Sequence, residues 1–352
     1  MGRVTLQTVA DKVGVSRMTV SNAFSRPDQL SATLRTRILD AAQELGYAGP
    51  DPAARALARG STGAVGVLLT SSLTYAFSDD VAVRFFGAIA QELSDTGLAL
   101  TLLNAETHNE VVQARDVAMD GAIVYACTPA TESLQWLRKR DIPLVYVDQD
   151  PVDDVPSVNV DDRAGARAAA EHLVGLGHRR IGILVAGTDG RQGLVPDLAS
   201  VALTWTRTSR ERALGFLEAL TPAGIEPIAH RQPNNSDQEA REAARLLLSG
   251  DHRPTGILCY SDVLARGVLL AAEDLGLRVP DDVSVIGFDD SAVALGTRPQ
   301  LTTVRQDVPL KGKAAAAALI ASMQTRRAGG SAEVPHHVYP TTLVVRDSAG
   351  PV

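Results

Sequence analysis

Apolar residues recur at the spacing of a helix in three runs near the start of the chain. The first run, TLQTVADKV, begins at Thr5, whose hydroxyl suits a helix N-cap, and Gly14 ends it. A second run, SRMTVSNAF, starts at Ser16, and a third starts at Ser31 and stops at Gly46. Two short helices joined by a turn that contains glycine form a helix-turn-helix, so we predict a three-helix headpiece.

A further short helix is predicted after the headpiece, within GPDPAARALARGST. Pro50 breaks the preceding helical pattern, whereas Pro52 can open a new helix that Asp51 caps. A helix of this length is not stable alone in water. We therefore expect it to fold only where another element or a partner holds it.

Beyond Thr62 the pattern changes to apolar strands that alternate with amphipathic helices. One series runs from GAVGVLLT to PLVYVDQ, and a second runs from AGARAAAEHLVGLG to VSVIGFDD. This alternation predicts parallel sheets with helices on both faces, and the two series predict two lobes. The tail contains a helix over about 308–323 and a last strand, HHVYPTTLVVR. We expect the helix to return to the first lobe and the strand to join the second lobe.

These patterns divide the chain into four segments. They are a headpiece over residues 1–48, a hinge over 49–61, a first lobe over 62–150 with about 305–330, and a second lobe over 151–304 with about 335–346. The length of 352 residues and a hydrophobic content of 45% agree with two or three folding units that have well-packed cores.

Charge is unevenly distributed along the chain. The net charge is −7, but residues 1–60 carry eight basic and five acidic side chains, which leaves −10 for the remainder. A cationic head on an acidic body can bind a polyanion locally while the body stays unattached.

Several classes of protein are disfavoured by what the sequence lacks. The first residues, MGRVTLQTVA, hold no apolar stretch of a secretory signal, and no run of about 18 apolar residues could span a bilayer. We therefore expect a soluble cytoplasmic protein without membrane contact. Cys127 and Cys259 lie in apolar strand-like runs without a partner at metal-ligand spacing, so we interpret them as buried thiols.

Catalytic motifs are also missing. The segment GTDGRQG is not a phosphate-binding loop, and no metal-ligand signature is present. His336 and His337 are adjacent on a predicted strand and would point to opposite faces. We predict neither an enzyme nor a metal or cofactor site.

The run VTLQTVADKVGVSRMTVSNAF closely resembles the headpiece of the LacI/GalR repressor family. The resemblance continues through PAARAL, which matches the family's hinge helix, and through VDDRAGARAAAEHLVGLGHRRIGIL, SRERALGF, VPDDVSVIGFDD and LTTVRQD. It implies a small all-α helix-turn-helix headpiece plus hinge helix, followed by a two-lobed, periplasmic-binding-protein-like α/β domain with parallel sheets. It further implies a repressor that binds double-stranded operator DNA and responds to a small, sugar-like effector.

Two stretches depart from the family pattern. The linker from Gly187 to Thr208 is longer than in most members, and the loop TSSLTYAFSDDVAV lacks the usual asparagine-proline-aromatic form. Both lie where the family binds effectors.

The second helix of the headpiece is the predicted DNA-reading element. In a major groove about 12 Å wide, Arg17 can reach guanine O6 and N7, Met18 can pack on base methyls or sugar, and Asn22 can reach a base edge or a phosphate. Small hydroxyl residues suit phosphate contacts, although N-capping alone is the alternative for Ser16 and Ser31. The predicted DNA-binding residues are Thr5, Ser16, Arg17, Met18, Thr19, Ser21, Asn22, Ser31, Arg55 and Leu57.

The resemblance makes Leu57 the wedge that two paired hinge helices insert into the minor groove. Leu57 is a large apolar residue on an Ala-rich helix, and the nearby Arg55 and Arg59 favour contact with phosphates or a groove. Packing of Leu57 against the headpiece is the alternative. One hinge helix cannot fill a symmetric operator, so we expect a homodimer.

Effector-binding residues are expected where strands end. Asp148, Arg212, Ser261 and Asp289 stand at the carboxyl ends of predicted strands or at the start of the next helix, and Asp79 lies in the first strand-to-helix loop. Carboxylates accept paired hydroxyls and arginine donates a fork of hydrogen bonds, which suits a sugar.

Other roles stay open for some of these residues. Asp289 or Asp290 can cap the following loop, and Arg212 can form an ion pair on the helix surface. Phe77 and Trp205 are possible stacking platforms, but we favour packing for both.

Two other classes share the two-lobed architecture. A periplasmic solute-binding protein would need a signal peptide and no headpiece, and a sugar-active enzyme would need a catalytic acid and base. Fold alone does not separate these classes. The headpiece favours the regulator.

Overall fold

The computed structural model describes residues 4–69, 73–105, 111–126, 131–186, 190–203, 205–330 and 333–352. Contacts divide the chain into two units, Met1–Gly63 and Ala64–Val352. None of the helices in the described ranges is long and apolar enough to cross a membrane.

Helices alone form the N-terminal unit. They are α1 (Leu6–Val13), α2 (Arg17–Ser25), α3 (Ala32–Glu44) and α4 (Pro52–Arg59), with a 3-10 turn at Pro27–Gln29. Gly14 ends α1 with a φ of 77°, a left-handed conformation that suits glycine. Apolar side chains from α1, α2 and α3 form a small buried core, made of Val9, Ala10, Val20, Ala23, Ile38, Ala41 and Ala42.

The first sheet of the larger unit has six parallel strands in the order β12-β5-β4-β3-β1-β2. These strands are β1 (Ala64–Leu69), β2 (Ala99–Asn104), β3 (Gly121–Tyr125), β4 (Leu144–Val147), β5 (Ser157–Val160) and β12 (His336–Tyr339). The helices of this lobe are α5 (Leu73–Ser78), α6 (Asp80–Leu93), α7 (Gln113–Asp116), α8 (Glu132–Lys139) and α15 (Val308–Arg327). Apolar clusters cover both faces of the sheet, as expected for parallel strands.

The second sheet has seven strands in the order β13-β11-β10-β9-β6-β8-β7. They are β6 (Ile181–Ala186), β7 (Gly193–Leu194), β8 (Ile228–Gln232), β9 (Gly256–Cys259), β10 (Ser284–Asp289), β11 (Thr302–Arg305) and β13 (Thr342–Val344). The helices of this lobe are α9 (Asp162–Gly175), α10 (Leu198–Ala202), α11 (Arg207–Leu220), α12 (Asp237–Leu248), α13 (Asp262–Asp274) and α14 (Ala292–Gly296). The edge strands β7 and β13 run antiparallel to their neighbours, and the five inner strands are parallel.

Two strands that the sequence analysis assigned to the second lobe lie in the first sheet. β5 pairs with β4, and β12 pairs with β5. The boundary predicted between residues 150 and 151 is therefore wrong, since the chain crosses to the second lobe only after β5. The predicted last strand is divided at Pro340, which has no N–H to donate, and only β13 joins the second sheet.

Two of the chain crossings between the lobes are bonded to each other. The Asp161 amide donates to the Tyr339 carbonyl at 2.8 Å, and the Thr341 hydroxyl donates to the Asp161 carbonyl at 2.9 Å. These bonds fix the two crossings side by side.

The described residues of the long linker over 187–208 include regular structure. They contribute β7 and α10, and Trp205 is buried in the core of the second lobe. Phe77, in contrast, is 68% exposed, so the packing expected for it is wrong. Cys259 is buried as predicted, and burial raises the pKa of its thiol well above the usual value; Cys127 lies outside the described residues.

Close packing of α9 on α11 generates a prediction about stability. A Cβ added at Gly215 would collide with the Arg163 carbonyl and lie 2.9 Å from the Ala166 Cβ. We expect Gly215→Ala to lower the free energy of unfolding by about 1–3 kcal/mol, because the two helices must move apart. Thermal unfolding by circular dichroism measures this loss.

The control is Gly87→Ala on α6, where an added Cβ has no neighbour within 4 Å. This change should raise the unfolding free energy by about 0.5–1 kcal/mol through helix propensity. Equal melting temperatures for the two variants would contradict the packing argument.

Candidate functional site

One side of α2 is buried in the headpiece and the other is open to solvent. Val20 and Ala23 are fully buried, whereas Arg17 is exposed and Met18 is 69% exposed. Arg17 is the first residue of α2, where the helix N-terminus favours contact with an anion. Thr19, Ser21 and Asn22 of the predicted set are half-buried.

The hydroxyl residues of the predicted DNA set cap the helices of the headpiece. Oγ of Ser16 accepts from the Thr19 amide at 3.0 Å, and Oγ of Ser31 accepts from the Leu34 amide at 3.3 Å. Thr5 forms a capping box with Thr8. All three caps therefore support the helix ends, and this role leaves room for phosphate contact.

A polar contact that the sequence analysis missed holds Asn22. Its Nδ2 donates to Oε1 of Gln29 at 3.1 Å, from α2 to the following 3-10 turn. One donor of Asn22 is therefore engaged, and its carbonyl oxygen and second N–H are left for a base edge.

The short helix α4 presents its large apolar residue to solvent. Leu57 is 86% exposed, so the alternative in which it packs against the headpiece is wrong. Arg55 is half-buried, and its guanidinium donates to the Pro50 carbonyl at 3.1 Å. Arg55 is thus partly engaged by its own segment, whereas Leu57 is not.

Within the larger unit, a chain of buried polar side chains joins the two lobes. Nζ of Lys311 on α15 lies 2.6 Å from Oδ2 of Asp148, which follows β4, and 3.0 Å from Oε1 of Gln306. Nε2 of Gln306 donates to Oδ1 of Asp289, the last residue of β10, at 2.7 Å. Asp289 in turn lies 3.2 Å from Arg212 on α11. Three of the five predicted effector residues therefore lie in one network.

Arg212 is the cation of the second lobe in this network. Its Nε donates to Asp162 at 2.8 Å, and its Nη1 donates to the Tyr260 carbonyl at 2.6 Å. The guanidinium also lies 3.7 Å from the Phe288 ring centre. Burial disfavours its charge, but Asp289 and Asp162 outweigh that cost and raise the pKa of Arg212. The alternative of a surface ion pair for Arg212 is wrong.

Carboxylates outnumber cations in this buried region. Asp148, Asp162, Asp262 and Asp289 are all buried. Lys311 pairs with Asp148, and Arg212 pairs with Asp162 and Asp289, whereas Asp262 accepts from Thr303 and Ser291. Two carboxylate oxygens, Oδ1 of Asp148 and Oδ2 of Asp162, have no hydrogen-bond partner in the part of the chain that the structure describes. An unpaired buried acceptor is costly, so a bound donor is favoured here.

The remaining two predicted effector residues meet through Asn235. The Ser261 hydroxyl donates to Oδ1 of Asn235 at 2.5 Å, and Nδ2 of Asn235 donates to Oδ2 of Asp79 at 3.4 Å. Asp79 also caps α6 and Ser261 caps α13. Asp79 belongs to the first lobe and Asn235 to the second, so this contact joins the two lobes.

Four contributors to the site were missed by the sequence analysis: Asp162, Asn235, Gln306 and Lys311. A signal was present for Lys311, which lies one helical turn from the apolar Val308 and Ala315 on α15 and therefore falls on the buried side. No group of three or more metal-ligating side chains is found in the described ranges.

Family models match both parts of the chain. The model of bacterial regulatory proteins of the lacI family matches residues 5–49, and that of the periplasmic binding protein-like domain matches residues 170–349. The chain is 37% identical over 351 residues to the HTH-type transcriptional regulator IpsA of Corynebacterium glutamicum, with 97% of each chain covered. It is 30% identical to the HTH-type transcriptional repressor PurR of Photobacterium profundum, with 88% of this chain and 89% of that one covered.

Solved structures agree with these relatives. The Lac repressor dimer bound to operator and the anti-inducer ONPF has a TM-score of 0.76 at 27% identity, over 99% of this chain and 100% of that one. The complex of the transcriptional regulator CelR with cellobiose has a TM-score of 0.71 at 26% identity, over 98% and 100%.

A helix-turn-helix headpiece joined to a periplasmic-binding-protein-like unit defines a DNA-binding transcriptional regulator rather than an enzyme. The chain belongs to the LacI family of bacterial transcriptional regulators.

The buried carboxylates generate a prediction about pH. Burial, followed by the charge of Asp289, raises the pKa of Asp262 to about 8, although Thr303 and Ser291 donate to it. The pKa of Asp262 is higher in the folded protein than the unfolded value of about 3.9, so protonated Asp262 contributes fully to stability at low pH. This contribution is lost as pH rises through about 8. We expect the melting temperature of Asp262→Asn to fall less steeply than that of the wild type between about pH 5 and pH 9.

Thermal unfolding of both proteins across this pH range measures the effect. The wild type should lose stability relative to the variant by up to about 1.4 kcal/mol per pH unit below pH 8. A constant difference between the two proteins at every pH would contradict the raised pKa.

Proposed function

We propose that the chain is a dimeric repressor that binds a pseudo-palindromic operator and is switched by a small, sugar-like effector in the cleft between its two lobes. The observation that carries this proposal is the exposed helix α2 in the same chain as a cleft with unpaired buried acceptors. Operator DNA as a target implies that the protein acts in the cytoplasm.

DNA reading is assigned to α2 and α4. Exposed Arg17 and Met18 suit contact with base edges, and the caps at Ser16 and Ser31 suit contact with phosphates. Exposed Leu57 suits insertion into a minor groove as an apolar wedge. The operator-bound Lac repressor among the similar structures supports this assignment.

A homodimer is supported by the geometry of reading. One headpiece reads one half-site, so a symmetric site takes two copies. The similar Lac repressor structure is a dimer.

The chemistry of the cleft favours an uncharged polyhydroxyl effector. Oδ1 of Asp148 and Oδ2 of Asp162 accept hydrogen bonds only, and the hydroxyls of a sugar supply the donors. An anion such as a sugar phosphate is disfavoured, because Lys311 and Arg212 are already paired with the buried Asp148, Asp162 and Asp289. The cellobiose complex of CelR supports a sugar-class effector.

A switch needs an effector that binds the DNA-competent and DNA-incompetent states with different affinity. The cleft residues come from both lobes, so closing or opening the lobes changes how many of them a ligand contacts. That difference provides the free energy of switching.

Selection of DNA ligands from a randomised pool tests DNA reading. We expect a two-fold symmetric site whose affinity falls steeply with salt, because bound phosphates release counterions. Arg17→Ala should relax base preference at one position per half-site, at a cost of about 1–3 kcal/mol for that base. Leu57→Ala should weaken every operator without changing base preference.

Arg37→Ala on α3 is the control, since it lies outside the predicted DNA set and should leave base preference intact. The proposal fails if no DNA is selected over low to physiological salt, with or without ligands. Unchanged base preference in Arg17→Ala would indicate that Met18 or Asn22, rather than Arg17, reads the base.

A thermal-shift screen of sugars, sugar phosphates and nucleosides tests the effector. A neutral sugar is expected to stabilise the protein, by about 2.7 kcal/mol at roughly 100 times its Kd. Asp148→Asn should reduce this shift, because it removes the free carboxylate oxygen.

Asp154→Asn is the control, because Asp154 lies in the same loop and also forms an ion pair, with Arg138 at 2.7 Å, but is exposed and lies outside the buried network. Stabilisation by sugar phosphates alone would refute the uncharged class. If Asp148→Asn retained the full thermal shift, the effector would have to bind elsewhere in the cleft.

A further inference from the structure

An ion-pair cluster bridges the two lobes at one side of the cleft. Asp150 lies in the loop between β4 and β5 of the first lobe, and Arg207 and Arg210 lie in the first turn of α11 in the second lobe. Nη1 of Arg207 lies 3.2 Å from Oδ1 of Asp150. Arg210 donates to the same carboxylate through Nη2 at 2.5 Å and through Nη1 at 3.1 Å.

The second lobe holds Arg210, one of the two arginines of this cluster, in position. Nε of Arg210 donates to Glu211 at 3.1 Å, and Glu211 also accepts from Arg163 on α9 at 2.8 Å. The side chain of Arg210 is mostly buried as a result. A guanidinium that its own lobe already orders loses less conformational entropy when it meets a carboxylate.

The first lobe orders the chain next to the carboxylate of Asp150. Gln149 is buried. Its backbone N–H donates to Oδ1 of Asn159 at 3.1 Å, and its side-chain Nε2 donates to the Val124 carbonyl at 2.8 Å. Asp150 follows directly, and its side chain remains 50% exposed. It is also two residues from Asp148, which belongs to the buried network. The pair is therefore both ordered and accessible to ions in solution.

Apart from the buried network through Gln306 and the two bonded chain crossings, the other interlobe contacts that we identify are single hydrogen bonds. The Ala292 amide donates to Oδ2 of Asp80 at 3.3 Å, and Asn235 donates to Asp79 at 3.4 Å. Ala292 is the first residue of α14, where a backbone amide has no acceptor within its own helix. Exchange of this amide therefore reports separation of the lobes at a site distant in sequence from Asp150.

We propose that Asp150, Arg207 and Arg210 form an electrostatic latch that holds the cleft closed and sets how readily the lobes separate. The functional meaning of the latch rests on the proposed effector site, because lobe separation is the route by which a ligand would enter and leave. Salt opens the latch, since about 1 M salt screens exposed charges beyond roughly 3 Å.

Hydrogen exchange of the ligand-free full chain, resolved at Ala292, tests the latch. Asp150→Asn should raise the exchange rate of the Ala292 amide about two- to fivefold, in the range of one or two partly exposed ion pairs. Raising KCl from low concentration to about 1 M should raise the wild-type rate similarly and have little further effect on the variant. Asp150→Glu keeps the charge and should retain most of the protection.

Glu218→Gln is the matched control, because it breaks an α11 ion pair with Arg163 that lies within one lobe. It should leave exchange at Ala292 unchanged. Unchanged exchange in Asp150→Asn, or an equal rise in Glu218→Gln, would overturn the latch. The experiment uses neither effector nor operator, so the latch can fail while the proposed function stands, and the reverse.

Discussion

The balance of buried charge at the junction of the lobes constrains the rest of the larger unit. Lys311 pairs with Asp148, and Arg212 pairs with Asp162 and Asp289, so each lobe supplies one buried cation. Removing one partner of a buried pair costs about 3–5 kcal/mol, because it leaves an uncompensated charge. The intact pairs therefore favour the arrangement in which the ends of β4 and β10 and the helices α11 and α15 meet. In the proposed function, the unpaired oxygens of Asp148 and Asp162 favour a ligand that donates hydrogen bonds.

Local sequence patterns predict the elements of this protein well, because each pattern reflects contacts within one element. The caps at Thr5, Ser16 and Ser31 and the glycine at position 14 mark the helices of the headpiece with side chains that bond the adjacent backbone. Alternating strands and helices likewise predict the two lobes. The carboxyl ends of the strands correctly indicate Asp148 and Asp289 as neighbours in one network.

Features that depend on distant partners were not predictable in this way. β5 and β12 pair with each other across 179 positions of sequence, and their short apolar patterns suit either sheet equally. Asn235 and Gln306 are ordinary polar residues in sequence, and only the fold brings them to the carboxylates they bond. The sequence gives no pattern for α10 in the linker before α11, because α10 packs with Trp205 in the core of the second lobe rather than within its own segment.

The path of the chain through the two lobes has a consequence for synthesis on the ribosome. The first sheet begins at residue 64, but it gains α15 only after residue 308 and its edge strand β12 only after residue 336. Most of the second lobe, from α9 to β11, emerges before these pieces. Domains generally fold as units once their residues are available. The headpiece is thus complete long before the first lobe can close its core, and a nascent chain holds its helix-turn-helix before it holds a finished α/β unit.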